Sequence, residues 1–260
     1  MGSKWFRRYA AGSGQHTGDG PRLVCFPHAG GAASAYVSLS RQLAALDVLA
    51  VQYPGRQDRR RDEPIADIAR LADALADEVV RHCETPYAFF GHSMGAVLAY
   101  ETARRLRERQ APAPVRLFLS GRGAPTPAPS RHDQLRTDAE LLSAVTRLGG
   151  TATQVLDDPE VREMILPALR ADYQALGSYT WVPGPALSIP FTVLIGDADP
   201  VVTVAEAAAW EDFTTASTDL HVFTGGHFYL DGQTREVAGT VSKALSMPAP
   251  PSSSAPLAAS

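Results

Sequence analysis

YAFFGHSMGAVLAYETARRLRER, residues 87–109, reads as a short buried strand running straight into a helix, with a serine at the join. The run from Tyr87 to Phe90 suits a strand covered on both faces, and the stretch from Ser93 to Arg109 carries helical apolar spacing. Between them Gly91-His92-Ser93-Met94-Gly95 matches G-x-S-x-G, a turn so tight that the positions flanking the nucleophile need minimal side chains, here Gly91 and Gly95. Such a turn lifts the Ser93 hydroxyl above the carboxyl ends of the strands. It also sets that hydroxyl at a helix N-terminus, where developing negative charge is favoured.

Outward from this unit the same pattern repeats. RLVCF at 22–26, VLAVQ at 48–52, VRLFLS at 115–120, FTVLIG at 191–196 and LHVF at 220–223 are further short apolar runs. Ile65, Ile68, Leu71, Leu75 and Val79 mark an amphipathic helix between two of them. Strands alternating with helices predict a three-layer α/β domain with a mainly parallel sheet. The interval between VRLFLS and FTVLIG, about 70 residues, is too long for an ordinary connection. One helix there starts at Thr137 with Glu140 completing a capping box, and a second starts at Asp158 with Pro159 at its first position. Residues 123–185 are therefore expected to form a helical insertion over one end of the sheet, a lid on a single domain spanning 1–246. The low-complexity stretch MPAPPSSSAPLAAS, 247–260, is expected to be disordered.

The 260 residues include 24 Lys plus Arg against 28 Asp plus Glu, a net charge of -4, which argues against nucleic acid as a partner. Cys25 and Cys83 sit in apolar segments, and two cysteines make neither a disulfide framework nor a zinc site. No apolar run approaches the ~18 residues that span a bilayer. The opening MGSKWFRRYAAGSG lacks the uninterrupted apolar stretch of a signal peptide, so a cytoplasmic setting is expected. A monomer is the default expectation, since no apolar heptad is visible.

A serine hydroxyl attacks only when a base takes its proton, and that base is oriented by a carboxylate. On this topology the chain order is serine, acid, histidine. His221 lies inside LHVF, where side chains alternate into the sheet faces. His227 follows Gly225-Gly226 in a loop after the strand, free to reach across the top, and is the expected base. The GDADP loop after FTVLIG offers Asp197 and Asp199. Asp199 is preferred, because Asp197 directly follows Gly196 and suits bracing of the turn. Pro27-His28-Ala29-Gly30-Gly31 follows the first apolar run, where small residues let a backbone N–H approach a substrate. The expected oxyanion donors are the amides of Ala29 and Met94.

Taken together, CFPHAGG at 25–31, YPGR at 53–56, FGHSMG at 90–95, SGR at 120–122, GDADP at 196–200 and FTGGHFYL at 223–230 follow an aromatic-basic start at Trp5, Phe6 and Arg7. This set resembles the type II thioesterases that accompany modular polyketide and nonribosomal peptide synthetases. The resemblance implies an α/β-hydrolase fold with a mobile helical lid, the triad Ser93, Asp199 and His227, and oxyanion amides at Ala29 and Met94. It further implies an editing enzyme that hydrolyses acyl groups from the phosphopantetheine thiol of acyl or peptidyl carrier proteins, with no metal or cofactor. The glycine-rich GSGQHTGDG stretch and the segment after Met247 depart from the family pattern.

Carrier proteins are commonly acidic, so a basic patch is expected if attraction guides docking. Arg56, Arg59, Arg60 and Arg61 form one candidate patch, and Arg104, Arg105, Arg107 and Arg109 another. An apolar acyl pocket is expected to accept short chains broadly and to disfavour acyl groups bearing a free carboxylate. The rival readings are a small-molecule carboxylester hydrolase on the same fold and a non-catalytic binding protein. Fold alone does not separate the first rival from a thioesterase.

Overall fold

Seven strands form one sheet among the described residues, 3–9, 20–128, 130–149 and 158–246 of a computed structural model. They are β1 (Phe6–Arg8), β2 (Arg22–Phe26), β3 (Val48–Val51), β4 (Tyr87–His92), β5 (Leu117–Ser120), β6 (Phe191–Gly196) and β7 (Thr218–Phe223). Their order is β1-β3-β2-β4-β5-β6-β7; β1 runs antiparallel to β3 and every other pair is parallel. This is the expected α/β-hydrolase architecture. The 247–260 stretch lies outside the described residues, as does most of GSGQHTGDG.

Period-two alternation sorts the strand residues onto two cores. Val24 and Phe26 join helices α2 (Ile68–His82) and α3 (Met94–Glu108) on one face. Leu23 and Cys25 join α1 (Val37–Gln42) and the later helix α8 (Thr234–Ser246) on the other. Each fully buried Leu or Phe in these layers contributes about 1.5–3 kcal/mol of transfer free energy. Asp67 caps α2 by accepting from the Arg70 N–H at 2.8 Å.

Two features depart from the sequence reading. β1 was not anticipated, because three residues are too few for a periodic signal. LHVF belongs to an edge strand, β7, not to a buried one: Leu220 is 39% exposed and Val222 50%.

The long interval after β5 holds α4 (Asp138–Leu148), whose Thr137–Glu140 capping box is formed, and α5 (Pro159–Ser178), capped by Asp158. Leu141, Leu166, Leu169 and Tyr173 make a small cluster of their own between these helices, and Ala29 packs against it. The short helices α6 (Val204–Ala208) and α7 (Tyr229–Gly232) follow β6 and β7. Among the described residues no helix is long and apolar enough to cross a membrane.

Candidate active site

Ser93 joins β4 to α3 with φ 55° and ψ −116°, a backbone conformation that a non-glycine residue keeps only where its surroundings enforce it. The enforcement is steric. A Cβ on Gly91 would meet the Gly95 carbonyl and lie 2.6 Å from the Ala96 Cα. One on Gly95 would meet the Phe26 carbonyl oxygen and lie 2.9 Å from that of Pro27. Two backbones thus approach as closely as glycine permits, and the Ser93 N–H donates to the Ser120 carbonyl at 2.8 Å.

The loops after β6 and β7 bring the acid and base candidates together. His227 Nδ1 lies 2.8 Å from Asp199 Oδ2, with the histidine side chain 4% exposed and the aspartate side chain 0%. The other Asp199 oxygen, Oδ1, accepts from the Val201 N–H at 2.9 Å and the Val202 N–H at 3.3 Å. An ionised carboxylate only accepts, so in a neutral imidazole held this way Nδ1 is the nitrogen that carries the proton and Nε2 the one with the lone pair. Asp197 turns elsewhere and accepts from the Gly225 N–H at 2.9 Å. His221 lies exposed on β7.

Ser93, His227 and Ala29 line one cavity of about 330 Å³. The amides of Ala29 and Met94 have no protein acceptor among the described residues. Leu148, Leu176, Val97 and Val201 supply apolar wall, but Arg122, His132, Asp133, Arg147 and Glu206 line the cavity too. The wall is therefore more polar than expected. Arg122 is neutralised by a two-point pairing with Asp133, at 3.0 and 2.5 Å.

Sequence reasoning missed the aromatic shell behind His227. The His92 ring lies 5.1 Å from that of His227, and His28 packs edge-on to Phe228 at 4.8 Å. His92 Nδ1 is 2.9 Å from Ser120 Oγ, which is 2.6 Å from the Tyr229 hydroxyl. CFPHAGG, FGHSMG, SGR and FTGGHFYL contain these residues, but nothing in the motifs says that they meet. Burial, reinforced by His227 and Arg56, pushes His28 down from 6.5 to about 4. His92 lies well below its ordinary value for the same first reason.

The unfolded chain therefore binds more protons than the native one between about pH 6.5 and about 4. Stability is present above the upper value and lost as pH falls, by up to about 1.4 kcal/mol per pH unit for each imidazole. Urea titrations across this window should show that slope, and His28→Asn should make it shallower. An unchanged slope in the variant would contradict the assignment.

The two basic patches are not what the sequence suggested. Arg56 is 6% exposed and ion-paired with Asp172, while Arg59 lies 4.6 Å over the Trp5 ring and pairs with Asp62. Arg104 and Arg105 bind Glu101, Arg107 donates to the Pro185 carbonyl, and Arg109 pairs with Asp77. Only Arg60 and Arg61 of the first patch lie exposed.

Known proteins resemble the chain over most of its length. A family model described as the thioesterase domain matches residues 21–245. A probable cadicidin biosynthesis thioesterase of Streptomyces griseus is 44% identical over 244 residues, 94% of this chain and 66% of that protein. Thioesterase PikA5 of Streptomyces venezuelae is 40% identical over 243 residues, 93% of this chain and 85% of that one. Among solved structures, the type II thioesterase BorB from the borrelidin biosynthetic cluster superposes with a TM-score of 0.84 at 42% identity, covering 94% of this chain and 99% of that one. On these matches and on its seven-stranded sheet, the chain belongs to the thioesterase family, among the type II thioesterases of polyketide and nonribosomal peptide biosynthesis.

Proposed function

We propose that the chain releases acyl groups from the phosphopantetheine thiol of carrier proteins, with Ser93 as nucleophile, His227 as general base and Asp199 as the carboxylate that orients it. The observation that carries this reading is the His227–Asp199 hydrogen bond of 2.8 Å behind a cavity that both His227 and Ser93 line. Ser93 Oγ attacks the thioester carbonyl as its proton passes to His227 Nε2. The negative charge that develops on the carbonyl oxygen is met by the Ala29 and Met94 N–H groups, each worth about 10² to 10³ in rate for a preorganised donor. The tetrahedral intermediate collapses with cleavage of the C–S bond, and His227 returns its proton to the departing sulfur. Water, deprotonated by the same imidazole, then hydrolyses the acyl-serine. A thioester has less resonance stabilisation than an ester, so a triad and two amides suffice. The described residues of 123–185 act as the lid in this reading, 129 and 150–157 lying outside them; Ala144 and Leu148 of α4 and Tyr173 and Leu176 of α5 form part of the cavity wall.

The test is hydrolysis of acetyl, propionyl, malonyl and long-chain groups from one loaded carrier protein, beside the same acyl groups on N-acetylcysteamine. Wild type should release carrier-bound acyl groups and Ser93→Ala should not. The free thioester should show a lower kcat/KM, and neutralising Arg60 and Arg61 should narrow the gap if they face the carrier. Equal efficiency on carrier-bound and free thioesters would remove the carrier protein from the account and favour a small-molecule ester hydrolase.

A further inference from the structure

Arg56 and Asp172 form a buried ion pair at 6% and 1% exposure, although 116 residues separate them and they sit on different parts of the fold. Arg56 ends the YPGR turn and Asp172 lies on α5. What the pair holds is the loop that carries Ala29. Asp172 Oδ2 accepts from the Gly30 N–H at 2.7 Å and from Arg56 Nη2. Arg56 Nε donates to the Gly31 carbonyl at 2.8 Å, and Nη1 donates to the Pro54 carbonyl at 2.9 Å. The Gly31 N–H closes the turn on the His28 carbonyl at 2.9 Å. Gly30 adopts φ +74°, and a Cβ there would lie 2.7 Å from Leu169 Cδ1, so α5 rests directly on the loop.

We infer that Arg56 and Asp172 are positioning residues for the oxyanion hole: together they take up the Gly30 N–H and the Gly31 carbonyl, leaving the Ala29 N–H for the substrate. This inference rests on the proposed role of the Ala29 and Met94 amides. Charge is suited to the task, because charge-assisted hydrogen bonds are shorter and about twice as strong as neutral ones. Position matters because a misplacement of about 1 Å in a catalytic array can cost about 10²-fold in rate. The device also ties the helical insertion to the chemistry, since a shift of α5 at Asp172 would pull on Gly30.

Removing one partner strands a buried charge, so paired substitutions are the informative ones. Arg56→Met with Asp172→Leu removes both charges and fills the space; it should fold, with its thermal midpoint lowered only by the loss of partners for the Gly30 N–H and Gly31 carbonyl. Its kcat on an N-acetylcysteamine thioester should nevertheless fall about 10²-fold while KM moves less than about 3-fold, as loss of one oxyanion donor requires. Affinity for an alkylboronic acid, whose tetrahedral adduct on serine places an oxygen in the hole, should fall with kcat. Arg56→Gln with Asp172→Asn restores hydrogen bonding without charge and should recover most of the lost rate. A folded Met/Leu variant with wild-type kcat and boronate affinity would overturn the inference, and failure of both pairs to fold would assign the ion pair to stability and overturn it too. Ser93→Ala is the separate control: hydrolysis there within a few-fold of the wild-type rate would undo the underlying mechanism and leave the pair without its function.

Discussion

Asp199→Asn is expected to lower kcat by about 10⁴-fold with the fold intact, the size of effect seen when a triad carboxylate becomes an amide. The reason lies in the hydrogen bonds that hold Asp199. Val201 and Val202 donate backbone N–H groups to Oδ1, so an asparagine there must keep its carbonyl oxygen on that side and turn its NH₂ towards His227. Nδ1 would then have to accept, the ring proton would move to Nε2, and the Ser93 hydroxyl would face a donor where it needs a base. Asp197→Asn keeps an acceptor for the Gly225 N–H and should change stability by no more than about 1 kcal/mol, with kcat within a few-fold of wild type. Stopped-flow turnover on folded variants checks the pair, and the reverse ranking would show that the wrong aspartate has been assigned.

Gly95→Ala should be the most damaging added methyl group among the described glycines. Helix propensity alone favours alanine over glycine by up to about 1 kcal/mol. Sterics point the other way and win, because the new Cβ would fall onto the Phe26 carbonyl and within 2.9 Å of the Pro27 carbonyl, both backbone atoms that cannot rotate away. Either α3 moves off β2 or the strand end carrying the Ala29 loop moves, and a loss above about 4 kcal/mol is expected. Gly239→Ala on α8 is the matched control: nothing lies within 4 Å of its Cβ, so it should be neutral or slightly stabilising. Denaturant midpoints for the two variants would decide it, and a Gly95→Ala protein as stable as wild type would refute the packing argument.

The strand-serine-helix unit and the two later loops were legible because their physics is local: an apolar run, a glycine-flanked serine, a histidine after Gly225-Gly226. All six apolar runs coincide with strands of the sheet, β2 to β7, for the same reason. What was not legible depends on distant partners. A charge pattern cannot distinguish a solvated arginine from one buried against Asp172, and Arg56 was misread on that account. Arg104 to Arg109 look like a solvated face, yet their partners sit on α2, along α3 itself and in the segment before β6. The apolar content of LHVF says nothing of whether another strand lies beyond it. Three residues, FRR, carry too little information to announce β1.

The position of β7 sets the order in which the protein would come apart. Ser93 follows the central strand β4, flanked by paired strands and roofed by α3, whereas His227 hangs from the end of a strand with a neighbour on one side only and little cover on its faces. Local opening is cheapest where buried contacts are fewest. Ser93 and the Ala29 loop are therefore expected to persist longer than the edge strand from whose end His227 is carried. Under mild denaturation activity would be lost while most of the sheet still stood, with Ser93 in place and His227 displaced first.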